Sequence, residues 1–320
     1  MKLPLHCPHM LGAPLHVWIT FGVVIVAALV VDLSVFHRKS QKVSFKSALI
    51  ESGAWIALSL GFAVYVHFSL GSQAGVTFLT GYLVEKSLSV DNIFIFLLIF
   101  QAFGIPQRSQ HKVLFYGVIG ALAMRALFVL AGVELLQSFH FVLYLFGAIL
   151  VFTAIQMLRP EKRVVEPEHT WLVRIAKRFL PVLSDYQGER FWVKHERRWH
   201  ATPLFLTLLA VEAMDILFAI DSVPAVLAIT RDTFIVYSSN AFAILGLRAL
   251  YFALSGILPR FRFLHEGLAA ILFFVGAKML ASDWIEVPDA ASLGVIAGIL
   301  TITILASLLS GRKQGGQGLH

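Results

Sequence analysis

Five carboxylates stand inside stretches apolar enough to cross a bilayer: Glu85 and Asp91 in 75–101, and Glu212, Asp215 and Asp221 in 203–229. An acid facing lipid near the bilayer centre costs about 2.5–3.5 kcal/mol, so five together would exceed ~10 kcal/mol unless they line a polar interior. At about 1.5 Å of rise per residue, Glu85 lies about 15 Å from one end of its stretch and Asp91 about 15 Å from the other, both deep in a membrane. Glu85, Ser89 and Asn92 fall at i, i+4 and i+7, one helical stripe, and Asp215, Ala219 and Ser222 repeat it. Asp91 and Asp221 lie about 120° from their partners, a wedge that still faces one cavity. With Asn240, in 233–256, the set offers oxygen donors, and no His or Cys stands near them at ligand spacing. Such a shell suits Mg²⁺, Ca²⁺ or Mn²⁺ rather than Zn²⁺ or Cu⁺. Pro224 lacks an N–H and frees the carbonyl of Ile220, so a kink or break is expected there, adding backbone oxygens.

Four bases share these stretches: Lys86, Arg125, Arg248 and Lys278. They raise the objection of an anion site, but five acids outnumber them and leave the empty site at −1. Arg125 falls near the depth of Glu85 and Arg248 near that of Asp215, so both read as structural counter-charges. A dication would take the site to +1, so binding should displace protons or shift an ion pair. The plainer alternative is that buried pairs here only fix helix register.

The elements that must position these groups follow from composition. Of 320 residues, 58% are hydrophobic and 14% charged, against roughly a quarter charged in soluble domains. Nine stretches reach the roughly 20 apolar residues a membrane helix needs: about 15–36, 47–68, 75–101, 112–133, 139–158, 203–229, 233–256, 265–282 and 288–310. The expected fold is all-α, a polytopic membrane protein of about nine transmembrane helices; continuous runs such as Val23 to Val31 contradict a β-barrel. The connections after stretches 1, 3, 5 and 7 and the C-terminal tail hold twenty of the twenty-six Lys and Arg, and the other side only Lys2 and Arg231. Basic residues stay in the cytoplasm, which puts the N-terminus outside and the C-terminus inside. The net charge of +7 is then topological, and nucleic acid is not an expected partner.

The chain also repeats itself. Glu85-x5-Asp91-Asn92 aligns with Asp215-x5-Asp221-Ser222, Arg125-Ala-Leu-Phe128 with Arg248-Ala-Leu-Tyr251, and Ala148-Ile-Leu-x-Phe152-x4-Met157-Leu158 with Ala270-Ile-Leu-x-Phe274-x4-Met279-Leu280. Each copy has three helices, so the second enters from the opposite side, the inverted arrangement of many secondary transporters. The expected organisation is an outward N-terminus with peripheral helices 1 and 2 (1–70), a first repeat (75–158), a cytoplasmic basic loop (159–202), a second repeat (203–282), and a last helix with a cytoplasmic tail (288–320).

The loop 159–202 carries ten basic and six acidic residues. Within it Leu172, Ile175 and Phe179 recur opposite Arg174, Lys177 and Arg178, which suits either an amphipathic helix on an anionic leaflet or a solvated linker helix. Asp32 and Glu51 lie close to helix ends and read as structural, within reach of Arg38 or Lys46. Glu134, Asp283, Glu286 and Asp289 read as an exposed outer rim. His195-Glu196-x3-His200 misses the metalloprotease spacing by one residue. There is no P-loop, no signal peptide is expected at the N-terminus, and Cys7 with His6 and His9 reads as a loose tail, as does 311–320. No nucleophile–base set is visible, so an enzyme is not expected, nor is a permanently bound cofactor.

Three long strings are similar to the TerC family: Gly81-Tyr-Leu-Val-Glu85-Lys-Ser-Leu-Ser-Val-Asp91-Asn92, then Val211-Glu212-Ala-Met-Asp215-Ile-Leu-Phe-Ala-Ile-Asp221-Ser222-Val-Pro224, then Ser239-Asn240-Ala-Phe-Ala-Ile-Leu-Gly246-Leu-Arg248-Ala-Leu-Tyr251. The resemblance is strongest to Alx-type bacterial members, covers about 15–310 and includes Ala201-Thr-Pro203-Leu. It implies a bacterial cytoplasmic-membrane protein of the wider LysE-like transporter group, whose members are linked to manganese efflux and to tellurite resistance. It also implicates the intramembrane acids, here Glu85, Asp91, Glu212, Asp215 and Asp221, and turns a hard dication into Mn²⁺. The expected function is secondary Mn²⁺ export by alternating access, with Asn92, Ser222 and Asn240 completing the shell. A membrane factor that assists assembly or anchors a stress-response complex is the rival, with 159–202 as its docking surface.

Overall fold

The computed structural model describes residues 13–38, 45–139, 141–158, 170–183, 188–195, 198–254, 263–285 and 287–314. Eleven helices and one hairpin make up the described residues: α1 (Leu15–Arg38), α2 (Phe45–Leu70), α3 (Ser72–Ala102), α4 (Gln107–Ser138), α5 (Phe141–Met157), α6 (Trp171–Phe179), β1 (Trp192–His195), β2 (Arg198–Ala201), α7 (Pro203–Leu227), α8 (Thr233–Ile244), α9 (Leu247–Leu254), α10 (Leu264–Leu280) and α11 (Asp289–Gln314). The fold is all-helical apart from this antiparallel hairpin, which the helical reading of 159–202 did not include.

Every apolar stretch coincides with a helix or, for 233–256, with the pair α8 and α9. Five helices are individually long and apolar enough to cross a membrane (α1, α2, α4, α7, α11), and α8 with α9, bent by 41°, makes a sixth. α3 is 31 residues long but carries Glu85, Lys86 and Asp91 within two turns, while α5 and α10 have 17 residues each. The most hydrophobic windows of α1, α2 and α11 are only 22%, 28% and 22% buried within the protein, against 50% and 44% for α4 and α7. The first, second and last helices are therefore peripheral, and α3, α4, α5, α7, α8 and α10 form the centre.

Within that centre α5 packs chiefly on α10, α4 on α7, and α3 on α8, with α3 also against α7 and α4 against α8. The α5–α10 crossing is close because its contact residues are small. A Cβ at Gly276 would sit 2.9 Å from the carbonyl oxygen of Gly147, leaving room for nothing larger than glycine. Between α1, α2, α3 and α8, Phe21, Phe62, Phe78, Phe234 and Phe242 interlock, Phe62 stacking on Phe242 at 4.4 Å between centroids. Ring packing of this kind, about 0.5–1.5 kcal/mol per pair, holds helices that gain no hydrophobic driving force against lipid.

The break between α8 and α9 is local and glycine-made. Gly246 has φ +74°, a left-handed conformation costly for other residues, and Trp55 of α2 fills the space a side chain would need. The break expected at Pro224 does not form. α7 runs through it to Leu227, and Ala228 donates to the Pro224 carbonyl at 2.9 Å. One missing N–H three residues before a helix end removes a single bond and leaves the following turns to continue. α11 likewise extends helix through Gln314, into the segment expected to be a loose tail; 1–12 and 315–320 lie outside the described residues.

The hairpin is tied to the helices beside it. Thr202, at the N-cap of α7, donates its hydroxyl to the carbonyls of Arg190 (2.7 Å) and Phe191 (3.1 Å). Glu189 pairs with Arg108 of α4 at 2.7 Å, and Lys112 lies over the Phe191 ring.

Candidate functional site

Four central helices each contribute to one buried polar cluster. Arg125, from α4, is 1% exposed and points between α3, α7 and α8. Its Nη1 donates to the Asn240 Oδ1 at 2.7 Å and the Ser222 Oγ at 3.1 Å, and pairs with the Glu85 carboxylate. Its Nη2 lies 3.5 Å from Asp215 Oδ1. Glu85 is fully buried and Asp215 is 5% exposed. Asn240 donates its own amide back to the Val236 carbonyl at 3.0 Å, which turns its oxygen toward the guanidinium. Asp215 and Ser222 stand two turns apart on one face of α7 and so reach the same arginine.

The cluster is incompletely satisfied. Among the described residues, the buried Glu85 Oε2, Asp215 Oδ2 and Arg125 Nε meet no hydrogen-bond partner. Leaving a buried charged group short of partners is costly, so these carboxylate oxygens are spare acceptors waiting at the centre of the bundle. Two carboxylates against one guanidinium leave −1. A slit of about 10 Å³, room for a single water at most, lies against Asp215 and is lined by Phe96, Leu114, Val118 and Leu247.

The other expected ligands are distributed differently. Asn92 is buried on the same helix as Glu85. Ser89 turns back on its own helix, donating to the Glu85 carbonyl at 2.8 Å. Asp221 accepts from Thr153 of α5 at 3.0 Å, away from the arginine's partners. Glu212, half-buried one turn before Asp215, lies against α4 where Gly120 leaves room for it; a Cβ there would overlap its carboxylate. The Asp91 side chain lies outside the described residues. Among the described residues, no group of three or more His, Cys, Asp or Glu gathers closely enough to hold a metal, so the acids meet as a pair bridged by arginine rather than as a ready cage.

Arg248 differs from expectation. Its Nη2 donates to Asp32 Oδ1 at 2.7 Å and to the Asp32 carbonyl at 3.3 Å, tying α9 to α1, and its ion pair is therefore with Asp32 rather than Asp215. The side chains of 33–38 and all of 39–44 lie outside the described residues, so an Arg38 partner for Asp32 does too.

Lys86 has a position the spacing did not reveal. Its Nζ donates to the carbonyls of Ala243 (3.0 Å) and Leu245 (3.4 Å) at the broken end of α8. A helix C-terminus exposes unpaired carbonyls and a partial negative charge, and Lys86 caps both. The signal was available in the glycine after Leu245, a frequent helix terminator.

A profile described as the integral membrane protein TerC family matches residues 70–315, more than three quarters of the chain. The chain belongs to the TerC family. It is 46% identical over 301 residues to an uncharacterized membrane protein of Myxococcus xanthus, covering 94% of each chain. It is 42% identical over 306 residues to a Photorhabdus laumondii protein named "Putative membrane-bound redox modulator Alx", covering 93% of this chain and 95% of that one. A Salmonella typhi protein of the same name is 43% identical over 303 residues, 92% and 94% of the two chains. No solved structure matches this TerC chain. It is an integral membrane protein with several apolar helices, and the buried cluster lies wholly within the TerC-matched residues.

Proposed function

We propose that this protein is a secondary transporter of the bacterial cytoplasmic membrane that exports a hard divalent cation, Mn²⁺ foremost, by alternating access of two inverted three-helix repeats. The observation that carries the reading is the buried cluster of Glu85, Asp215, Arg125, Ser222 and Asn240, with one spare oxygen on each acid. Arg125 stands where a cation would, and the incoming ion takes the two acids as the guanidinium withdraws. The oxygen-only donors favour a hard dication, and Mn²⁺ among them is what the resemblance to the TerC family implies.

The helix packing supports the repeat. Exchanging α3 with α7, α4 with α8 and α5 with α10 maps the α4–α7 contact onto α8–α3 and leaves the α3–α7, α4–α8 and α5–α10 pairs in place. On this reading nine spans cross the membrane, the N-terminus is outside, and the cluster lies between the halves near the midplane, as in other inverted-repeat transporters. Asp221, Glu212 and Asp91 serve the ion's path or a coupled proton on either side of the central pair.

A second reading is a non-transporting assembly or stress-response factor, which the redox-modulator name of the relatives favours. Cys7 is the one cysteine of the sequence, so an internal thiol–disulfide cycle is not open to this chain, and a redox effect through a metal pool accords with transport. The test is Mn²⁺ flux into inverted vesicles or proteoliposomes holding Glu85→Gln or Asp215→Asn at unchanged protein levels. Flux falls to background in both if the proposal holds; undiminished flux in both removes these acids from the transport site.

A further inference from the structure

We infer that α6, with the hairpin beside it, is a membrane-surface platform that rests on the lipid leaflet and takes anionic phospholipid headgroups. Successive helical residues turn by about 100°, and on α6 this sorts the side chains into three arcs. Val173 and Ala176 are buried, and α6 packs on α7. Arg174, Lys177 and Arg178 occupy an exposed basic arc. Between them runs a third arc of Trp171, Ile175 and Phe179, which are 48%, 48% and 74% exposed. A helix docked on protein by one face has no reason to hold a tryptophan, an isoleucine and a phenylalanine in water beside a row of bases. Lying in the interface, it buries that arc among acyl chains and points the bases at headgroups.

The location fits the same occupant. A groove of about 610 Å³ lies beside α6, walled by Ala102 and Phe103 at the end of α3, Pro203 and Leu206 at the start of α7, and Leu180, with Lys177 at its edge. The ends of α3 and α7 thus form its walls, and on the nine-span reading proposed above, on which this step rests, those ends lie near the headgroups. The hairpin adds Trp192 and Trp199, 38% and 63% exposed, with Lys194 directly opposite Trp199 in the register. Tryptophan beside lysine is the composition of the membrane–water interface. The sequence from 170 to 201 holds seven bases, Arg174, Lys177, Arg178, Arg190, Lys194, Arg197 and Arg198, against three acids, Asp185, Glu189 and Glu196, and Glu189 pairs with Arg108. That surplus selects an anionic leaflet, where each basic residue near the surface adds attraction.

The full-length protein is tested in nanodiscs of phosphatidylcholine with or without phosphatidylglycerol. Trp171 is kept as the single tryptophan by Phe substitutions at 18, 55, 192, 199 and 284. At equal bromine content, chain-brominated phosphatidylglycerol quenches Trp171 several-fold more than brominated phosphatidylcholine, and Arg174→Gln/Lys177→Gln/Arg178→Gln abolishes the preference. Quenching by aqueous iodide but by neither lipid shows a solvated helix and overturns the proposal. Equal quenching by both lipids, unchanged in the triple variant, overturns the headgroup selection. Amide exchange over 171–179 in the unmodified protein guards against a folding defect: it slows when phosphatidylglycerol is present, and an unchanged rate also overturns the proposal.

Discussion

Arg125→Gln isolates the central claim that a guanidinium holds the place of a cation. In the wild type this side chain bonds Glu85, Asn240 and Ser222 and lies 3.5 Å from Asp215, all within the buried interior. Removing it leaves two buried carboxylates facing each other at a combined −2. Breaking a buried pair by deleting one partner costs about 3–5 kcal/mol, and here one deletion strips both acids. Unfolding of the protein in detergent, followed by tryptophan fluorescence, should therefore show Arg125→Gln less stable by about that amount without divalent ions. Mn²⁺ reverses the order of effects. In the variant it meets −2 with nothing to displace, and at a hundredfold excess over its dissociation constant it returns about 2.7 kcal/mol. In the wild type the same ion must first move the guanidinium, so its stabilisation is smaller. Arg125→Lys keeps the charge but not the planar fork that reaches several partners, and falls between the two. A variant as stable as wild type without metal, or one that gains no more from Mn²⁺, would refute the argument.

Two other outcomes probe the frame around the site. Gly246→Ala places a Cβ 2.5–2.6 Å from Trp55 in a left-handed conformation that alone costs about 1–2 kcal/mol; a lowered unfolding midpoint checks it, and retained stability would show that the α8–α9 break does not need glycine. Asp32→Ala removes the side-chain acceptor and leaves Arg248 the backbone carbonyl of residue 32, of the two acceptors it holds there, a loss toward the lower end of the ~3–5 kcal/mol for a broken buried pair. Mn²⁺ binding by calorimetry stays unchanged in that variant, whereas a matching loss of binding would join α1 to the site.

The sequence made the helices legible because long uninterrupted apolar runs fold as helices, and each of the nine stretches lies on a helix or on the bent pair; among the described residues, five helices, or six with the bent pair, are long and apolar enough to cross a membrane. The break was misplaced for a physical reason. Pro224 removes one hydrogen bond, which a helix near its end survives, whereas Gly246 permits a backbone conformation that stops a helix outright. The hairpin escaped notice because Trp192–His195 and Arg198–Ala201 are four residues each, too short for alternation to stand out in a polar loop. Side-chain partners were the least legible feature. Spacing puts Arg125 and Arg248 at matching depths, but depth alone does not say which acid each one meets.

That divergence between matching arginines has a cause in the backbone and a consequence in charge. α4 is unbroken around Arg125, so its guanidinium keeps the direction that faces α3 and α7. Arg248 follows the break at Gly246, and α9, turned 41° from α8, carries it to Asp32 of α1 instead. Had both arginines entered the cluster, Glu85 and Asp215 would be fully neutralised and a cation would gain little by entering. With one diverted, the pair keeps a formal −1 and two spare oxygens in a low-dielectric interior, where each charge counts for far more than in water. The glycine break thus sets the electrostatics of the site as well as the path of the helix. On the proposed repeat, it accounts for equivalent arginines that meet different acids, Arg125 with Glu85 and Asp215 and Arg248 with Asp32.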